Sequence, residues 1–213
     1  MKFIEYNVTA DKLCVGERNK GGRYKPTSDT LRYSQLVGAL TSKFGDHDFH
    51  AVGHLHNYQK EFLSYNLRDR YSEKVKVPLK VQFMTKVKGK AFITCSNIFY
   101  ELQKDFYLNL GAMISKGFGE CAFKFLKEID IMELPVSVGI LKSRIPIRAN
   151  SDSELSDLIE SGKTTEFLKS IFGIEKIIKP VFGYLFKPVN QYTGYYELSL
   201  FEGSKIESHI FLL

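Results

Sequence analysis

Lys74-Val75-Lys76-Val77-Pro78-Leu79-Lys80-Val81-Gln82-Phe83-Met84-Thr85-Lys86-Val87-Lys88 carries the clearest periodicity in the chain. Val75, Val77, Leu79, Val81, Phe83 and Val87 share one parity, and Lys74, Lys76, Lys80, Gln82, Lys86 and Lys88 share the other. Successive side chains of a strand point to opposite faces, so a period of two predicts a strand with one apolar and one basic face. Pro78 has no N–H for a ladder and marks an edge or a break. The lysine row either lies along a polyanion or is the solvated face of an edge strand that lysines protect from aggregation, and the second is favoured.

Working outward, KFIEYNVT at 2–9 alternates in the same way and runs on to Leu13-Cys14-Val15-Gly16, predicting an opening core strand. The glycine-rich basic loop Gly16 to Lys25 follows. Pro26-Thr27-Ser28-Asp29 reads as a helix entry capped by Ser28 or Thr27. Leu31, Leu36, Ala39, Leu40 and Phe44 then form an imperfect apolar face that ends at Gly45, so a helix is predicted over 29–44. Beyond the lysine-rich strand, Ile98, Phe99, Leu102, Phe106 and Tyr107 predict a second amphipathic helix over 96–108. Ala112–Ile114 and Ala122–Phe125 are expected as strands around a glycine loop. Strand, helix, strands, helix, strand is the order of a ferredoxin-like (RRM-like) βαββαβ unit.

The tone changes after Pro135. Ser151-Asp152-Ser153-Glu154 is a capping-box pattern, Thr164 or Thr165 caps a further helix ending near Gly173, and Tyr195–Phe201 with Lys205–Leu212 read as a hairpin around Glu202-Gly203-Ser204. The expected class is α+β: a ferredoxin-like domain over 1–130 and a smaller α+β region over 131–213.

Composition narrows the function classes. Across 213 residues, 44% hydrophobic and 14% aromatic content is ample for a packed core and excludes a disordered chain. No run approaches the roughly 18 to 20 apolar residues of a membrane span, and the opening Met1 to Tyr6 reads as a strand rather than a signal peptide. A soluble, cytoplasmic protein without a membrane partner is expected. Cys14, Cys95 and Cys121 are odd in number and set among apolar neighbours, as buried thiols are in a reducing compartment. The net charge of +6 is unevenly spread: residues 1–90 hold 17 Lys and Arg against 9 Asp and Glu, whereas 91–213 hold 13 against 15. A polyphosphate partner suits such a basic half, because Lys and Arg displace condensed counterions.

Two segments carry a family likeness. Tyr24-Lys25-Pro26-Thr27-Ser28-Asp29-Thr30-Leu31-Arg32, running on to Gly38-Ala39-Leu40, resembles the element opening the first helix of the RAMP superfamily of CRISPR-associated proteins. Gly111-Ala112-Met113-Ile114-Ser115-Lys116-Gly117-Phe118-Gly119-Glu120-Cys121 resembles their signature glycine-rich loop. The likeness covers about 1–125. With the tail Gly183-Tyr184-Leu185-Phe186-Lys187-Pro188, it is most similar to subunits that hold the repeat-derived 5′ handle of the guide RNA in multisubunit effector complexes. It implies CRISPR RNA and other effector subunits as partners and no cofactor.

The residues themselves support part of this. Gly117 and Gly119 permit positive φ and close backbone approach to a phosphate, and Lys116 adds charge, although an ordinary tight turn needs the same glycines. Arg18, Lys20, Arg23 and Lys25 surround two glycines in the earlier loop, with Arg32 nearby, and are expected to touch phosphates; a solvated loop is the competing reading. Tyr24, Tyr33, Tyr58, Tyr65 and Tyr71 lie in the basic half, where some would stack on unpaired bases.

His47, His50, His54 and His56 crowd into ten residues beside Asp46 and Asp48. They suit a solvated loop, a zinc or manganese site, or general acid–base cleavage of RNA, with His50 and His54 as candidates. The solvated loop is favoured, and no metal site is assigned. Ser161-Gly162-Lys163-Thr164 imitates a P-loop end but lacks its first glycine, Asp157 standing there, and reads as a helix boundary. Binding of guide RNA without catalysis is the leading expectation. The rivals are a metal-independent repeat endoribonuclease and a basic scaffold that contacts only proteins.

Overall fold

The computed structural model describes residues 2–16, 23–66, 78–188 and 193–213. Its first part is an antiparallel sheet built from β1 (Lys2–Leu13), β3 (Thr30–Leu31), β4 (His50–Tyr65), β5 (Leu79–Thr94), β6 (Phe106–Asn109) and β7 (Glu120–Asp130), in the order β3-β4-β5-β1-β7-β6. The short β2 (Tyr24–Lys25) pairs in parallel with β5 at Lys80 and Val81. One helix, α1 (Tyr33–Phe44), joins β1 to β4 across the sheet. The arrangement is α+β and consistent with a ferredoxin-like unit whose second crossover is not a helix.

Strand alternation sorts the core. On β1, Ile4, Tyr6 and Val8 face α1 and pack with Leu36, Leu40, Phe106 and Phe123, all buried. Tyr6 is fully buried and donates its hydroxyl to the Leu102 carbonyl, as a buried phenol must to avoid an unpaired donor. Phe3 points the other way, with ring centroids 6.2 Å from Phe172 and 5.4 Å from Phe211. Val52 and Phe92 join it on that face. Each such side chain contributes roughly 1.5–3 kcal/mol by leaving water.

Phe172 and Phe211 belong to the C-terminal region: β8 (Val136–Ile140), β9 (Ile145–Pro146), α2 (Asp152–Ser161), α3 (Glu166–Phe172), β10 (Ile174–Lys179), β11 (Phe182–Pro188), β12 (Gly194–Leu200) and β13 (Lys205–His209). These strands form two three-stranded sheets, β10-β13-β8 and β11-β12-β9. The caps are as the sequence implies: Ser151 Oγ accepts from Glu154 N–H at 3.2 Å and Thr165 Oγ1 from Leu168 N–H at 3.3 Å. Gly162 and Gly173 close the helices in the left-handed region, so Ser161-Gly162-Lys163-Thr164 is a helix end.

Five sequence expectations are corrected. The first helix begins at Tyr33, because Thr27 Oγ1 accepts from Val15 N–H at 3.1 Å and the Ser28 hydroxyl is 3.0 Å from that of Thr30, so neither caps it. The segment 96–104 makes only a single turn, with Leu102 N–H to the Ile98 carbonyl at 3.3 Å. Phe106 and Leu108 are drawn into β6, and Asp105 accepts from Phe125 N–H at 2.8 Å. The expected strand at Ala112–Ile114 is absent, and Ile114–Lys116 form a 3₁₀ turn. The C-terminal hairpin is absent: Glu202 pairs with Arg144 through two 2.6 Å bonds, Gly203 and Ser204 bond to Leu141, and β12 and β13 enter different sheets. Pro78 precedes β5, which lies in the interior of the sheet and not at an edge; Lys74–Val77 lie outside the described residues.

Among the described residues no helix is long and apolar enough to cross a membrane. Cys14, Cys95 and Cys121 are buried free thiols.

Candidate nucleic-acid interface

The C-terminal region covers the second sheet face around Phe3, Val52, Phe92 and Ile129. Farther along the strands that face carries polar side chains, and register fixes which they are. Residues opposite each other in an antiparallel ladder share a face. Asn7 pairs with Lys90 and Lys124, Thr9 with Lys88, and Glu5 with Lys127. Lys88 and Lys90 on β5 and Lys124 and Lys127 on β7 thus flank a central row of Glu5, Asn7 and Thr9, with His54 of β4 beyond Lys90. Glu5 is 4% exposed, and its carboxylate meets Lys90 Nζ at 2.6 Å and Lys127 Nζ at 3.7 Å.

Two hollows lie in this face. One of about 450 Å³, at the border with the C-terminal region, is lined by Glu5, His54, His56, Lys90, Lys127 and Lys142 and by an apolar wall that includes Phe92, Ile210 and Phe211. The other, of about 410 Å³, is lined by Thr9, Lys12, Lys86, Lys88, Tyr107 and Gly117. Lys88 and Lys90 are same-face neighbours on one strand, so the two hollows follow one another along β5 and are together called the trough. Lysines outnumber its acids Glu5, Asp11 and Glu120, and Tyr107, 62% exposed, offers a ring at its β6 side.

The glycine-rich loop closes one end of the trough. Gly117 has φ of +78° and open space where a Cβ would stand, and Gly119 has φ of +89°. Their N–H groups are committed inside the protein, Gly117 to the Ile114 carbonyl at 3.0 Å and Gly119 to that of Lys12 at 2.8 Å. These two amides therefore do not cradle an anion. The glycines supply turn geometry and close packing.

The structure brings part of the predicted set together. Phe118 packs edge-on against Phe83 at 5.0 Å within a small cluster that includes Cys14 and Val81, with Met113 against it. Val81 is also where Lys25 pairs, and Arg23 accepts from Lys80 N–H at 2.8 Å. One cluster thus anchors both the loop of Lys116, Gly117 and Gly119 and the strand of Lys25, which Arg23 precedes. Arg32 stands apart, at the start of α1 beside β11 and β12. Arg18, Lys20 and Tyr71 lie outside the described residues.

The histidines separate. His50, His54 and His56 sit on β4 and not in a loop. His50 is 5% exposed, with Nδ1 3.0 Å from the Tyr33 hydroxyl and Nε2 3.4 Å from Asp48. Burial lowers its pKa against the opposing pull of Asp48. His54 faces the trough, where burial first, then Lys142, His56 and Lys90, hold its pKa down at about 4. His47 lines a different hollow with Asp46 and Arg148. Among the described residues no three His, Cys, Asp or Glu side chains are gathered to hold a metal.

Lys12, Lys124, Lys127, Lys142 and Tyr107 were not legible as a site. The signal that would have found Lys124 and Lys127 is the alternation of β7, broken by a bulge opposite Glu5 and Tyr6.

No protein-family model matches the chain, and no curated protein matches it. Solved structures do. A chain of the Type III-B Cmr-beta complex bound to cognate target RNA and AMPPnP is 10% identical with a TM-score of 0.55, over 97% of this chain and 86% of that one. A chain of the same complex bound to cognate target RNA gives 10% and 0.54 over the same shares. A chain of a CRISPR RNA-guided surveillance complex lies further off, at 9% and 0.45. The likeness to the two chains of the Type III-B Cmr-beta complex establishes a shared fold.

Proposed function

We propose that this chain is an RNA-binding subunit of a CRISPR effector ribonucleoprotein, holding the repeat-derived 5′ handle of the guide RNA. The observation that carries the reading is the lysine-flanked trough on the open sheet face, ended by the glycine-rich loop. Lysine ammonium groups track phosphates without reading sequence, while Tyr107 offers a stacking surface for an unpaired base. Lys116, Arg23 and Lys25 extend the basic surface at the loop end, with Gly117 and Gly119 shaping it. The fold shared with chains of RNA-bound CRISPR complexes supports this assignment. The partners are the guide RNA and neighbouring effector subunits, and the compartment is the cytoplasm.

On this reading the chain binds RNA and does not cut it. The observation favouring a nuclease is His54, a neutral imidazole at pH 7 facing the trough, and a low pKa makes it a weak proton acceptor. Purified, metal-free protein with a labelled repeat-containing RNA on native and denaturing gels separates the readings. A shifted, intact RNA is expected. Cleavage at one position, lost in His54→Asn, would make it the processing nuclease, and a protein that neither shifts RNA nor copurifies with it would be a scaffold.

A further inference from the structure

A second concave site lies away from the trough, where the start of α1 meets the β11 and β12 hairpin. This hollow, of about 320 Å³, is lined by Arg32, Gln35, Tyr184, Phe186, Tyr196 and Phe201. Its walls are aromatic and accessible: Tyr184 is 66% and Tyr196 57% exposed, and Phe186 meets Tyr196 edge-on at 5.5 Å. Arg144, which also lines the hollow, holds its guanidinium 4.3 Å over the Phe201 ring and is bonded to Glu202. Soluble proteins seldom leave several aromatic rings around one hollow without a ligand to cover them.

The polar lining is specific. Gln35 lines the hollow, and its Oε1 is buried without a hydrogen-bond partner, so a rotation of the terminal amide toward the hollow would let a ligand donor satisfy it. The Arg32 side chain adds a cation at the N-terminal end of a 12-residue helix. An amide that can both accept and donate, aromatic walls and a guanidinium are the groups that read an unpaired nucleobase: the rings stack on its face and the amide bonds its edge.

We infer that this hollow binds one unpaired nucleobase, with Tyr184 and Tyr196 stacking on it and Gln35 reading its hydrogen-bonding edge. The inference rests on the RNA-binding reading, since the base is taken to belong to a guide RNA that also occupies the trough. A free mononucleotide offers the same chemistry.

The test titrates the intact chain with a fluorescent, single-stranded repeat-derived RNA and, separately, with each of the four nucleoside monophosphates. Tyr184→Ala, Gln35→Met and the trough variant Lys88→Ala/Lys124→Ala are compared, with folding checked by circular dichroism. Tyr184→Ala is expected to weaken the RNA about 5- to 100-fold, the loss of one base stack. Gln35→Met, nearly isosteric, is expected to erase any preference among bases at one RNA position. Saturable monophosphate binding, lost in both variants, would make the ligand a free nucleotide and retain the site. Wild-type affinity and base preference in both hollow variants, while Lys88→Ala/Lys124→Ala binds weakly, would overturn the inference and spare the trough. Protection of Tyr184 and Tyr196 only by another protein, with no effect of RNA, would overturn it in favour of a protein-docking surface. Failure of the trough variant to weaken binding would count against the underlying reading instead.

Discussion

Lys90 Nζ stands 2.6 Å from Glu5 Oε1 at the centre of the open sheet face, and Lys127 approaches the same carboxylate from the opposite strand at 3.7 Å. One buried acid thereby holds two lysines over the trough and offsets part of their charge. Replacing it frees that charge for phosphate. Glu5→Gln is expected to tighten RNA binding and to steepen its dependence on salt by about 0.7 in log–log slope for each further phosphate neutralised on a single strand. Stability should change by no more than about 1 kcal/mol, because Lys90 and Lys127 are themselves substantially exposed. Weaker binding in this variant would mean that Glu5 positions the lysines more than it opposes them.

The lysines across the trough should act alike and separately from the fold. Lys88→Ala and Lys124→Ala, both exposed, are expected to leave the melting temperature nearly unchanged and to lower the salt slope by about 0.7 each. Binding isotherms at several salt concentrations measure this, and an unchanged slope in both would remove them from the interface.

The glycine-rich loop separates geometry from contact. A Cβ at Gly111 would strike the Cys14 carbonyl and one at Gly119 the Leu110 carbonyl, and both residues have positive φ. Gly111→Ala and Gly119→Ala are each expected to cost more than about 1–2 kcal/mol, read as a melting-temperature loss of several degrees. Gly117→Ala meets open space and should cost only about 1 kcal/mol. Because the Gly117 amide is already bonded to Ile114, the folded variant should keep its RNA affinity. A large affinity loss there would reinstate the amide as a phosphate ligand.

His54 makes stability depend on pH in a defined sense. Its pKa is depressed to about 4 in the folded chain against an ordinary 6.5, so below 6.5 the unfolded state takes up a proton that the folded state refuses. Its stabilising contribution is therefore whole above pH 6.5 and is lost as pH falls from 6.5 through 4. Denaturant unfolding across that range should show the decline, with His54→Asn flattening it in part, since burial depresses His50 in the same direction. An equal decline in His54→Asn would exclude His54 as its source.

The sheet was the most legible part of the fold. Alternation at Val81, Phe83 and Val87 located β5, and the residues after Lys2 located β1, because a pleated strand forces that period. Local rules failed wherever a distant partner claimed the residue. Thr27 and Ser28 looked like caps but are bound to Val15 and Thr30, Phe106 completed a helical spacing but joins β6, and Glu202 looked like a hairpin turn but is held by Arg144. Of the candidate site, the loop of Lys116 and Gly117 stood out in the sequence, because glycine-rich loops announce themselves, and Gly117 lines the hollow. Its middle was not. That Lys88, Lys90, Lys124 and Lys127 share one face depends on the β1 register with two strands distant in sequence, and a bulge in β7 hides half of it.

Ultraviolet crosslinking of a repeat-derived RNA to the intact protein, with the crosslinked peptides identified by mass spectrometry, tests the central claim most directly. The account predicts crosslinks in β5 (Leu79–Thr94), β7 (Glu120–Asp130) and the glycine-rich loop between β6 and β7, reduced in Lys88→Ala/Lys124→Ala. Crosslinks confined to β8, β10 and β13, with none on the open sheet face, would contradict it.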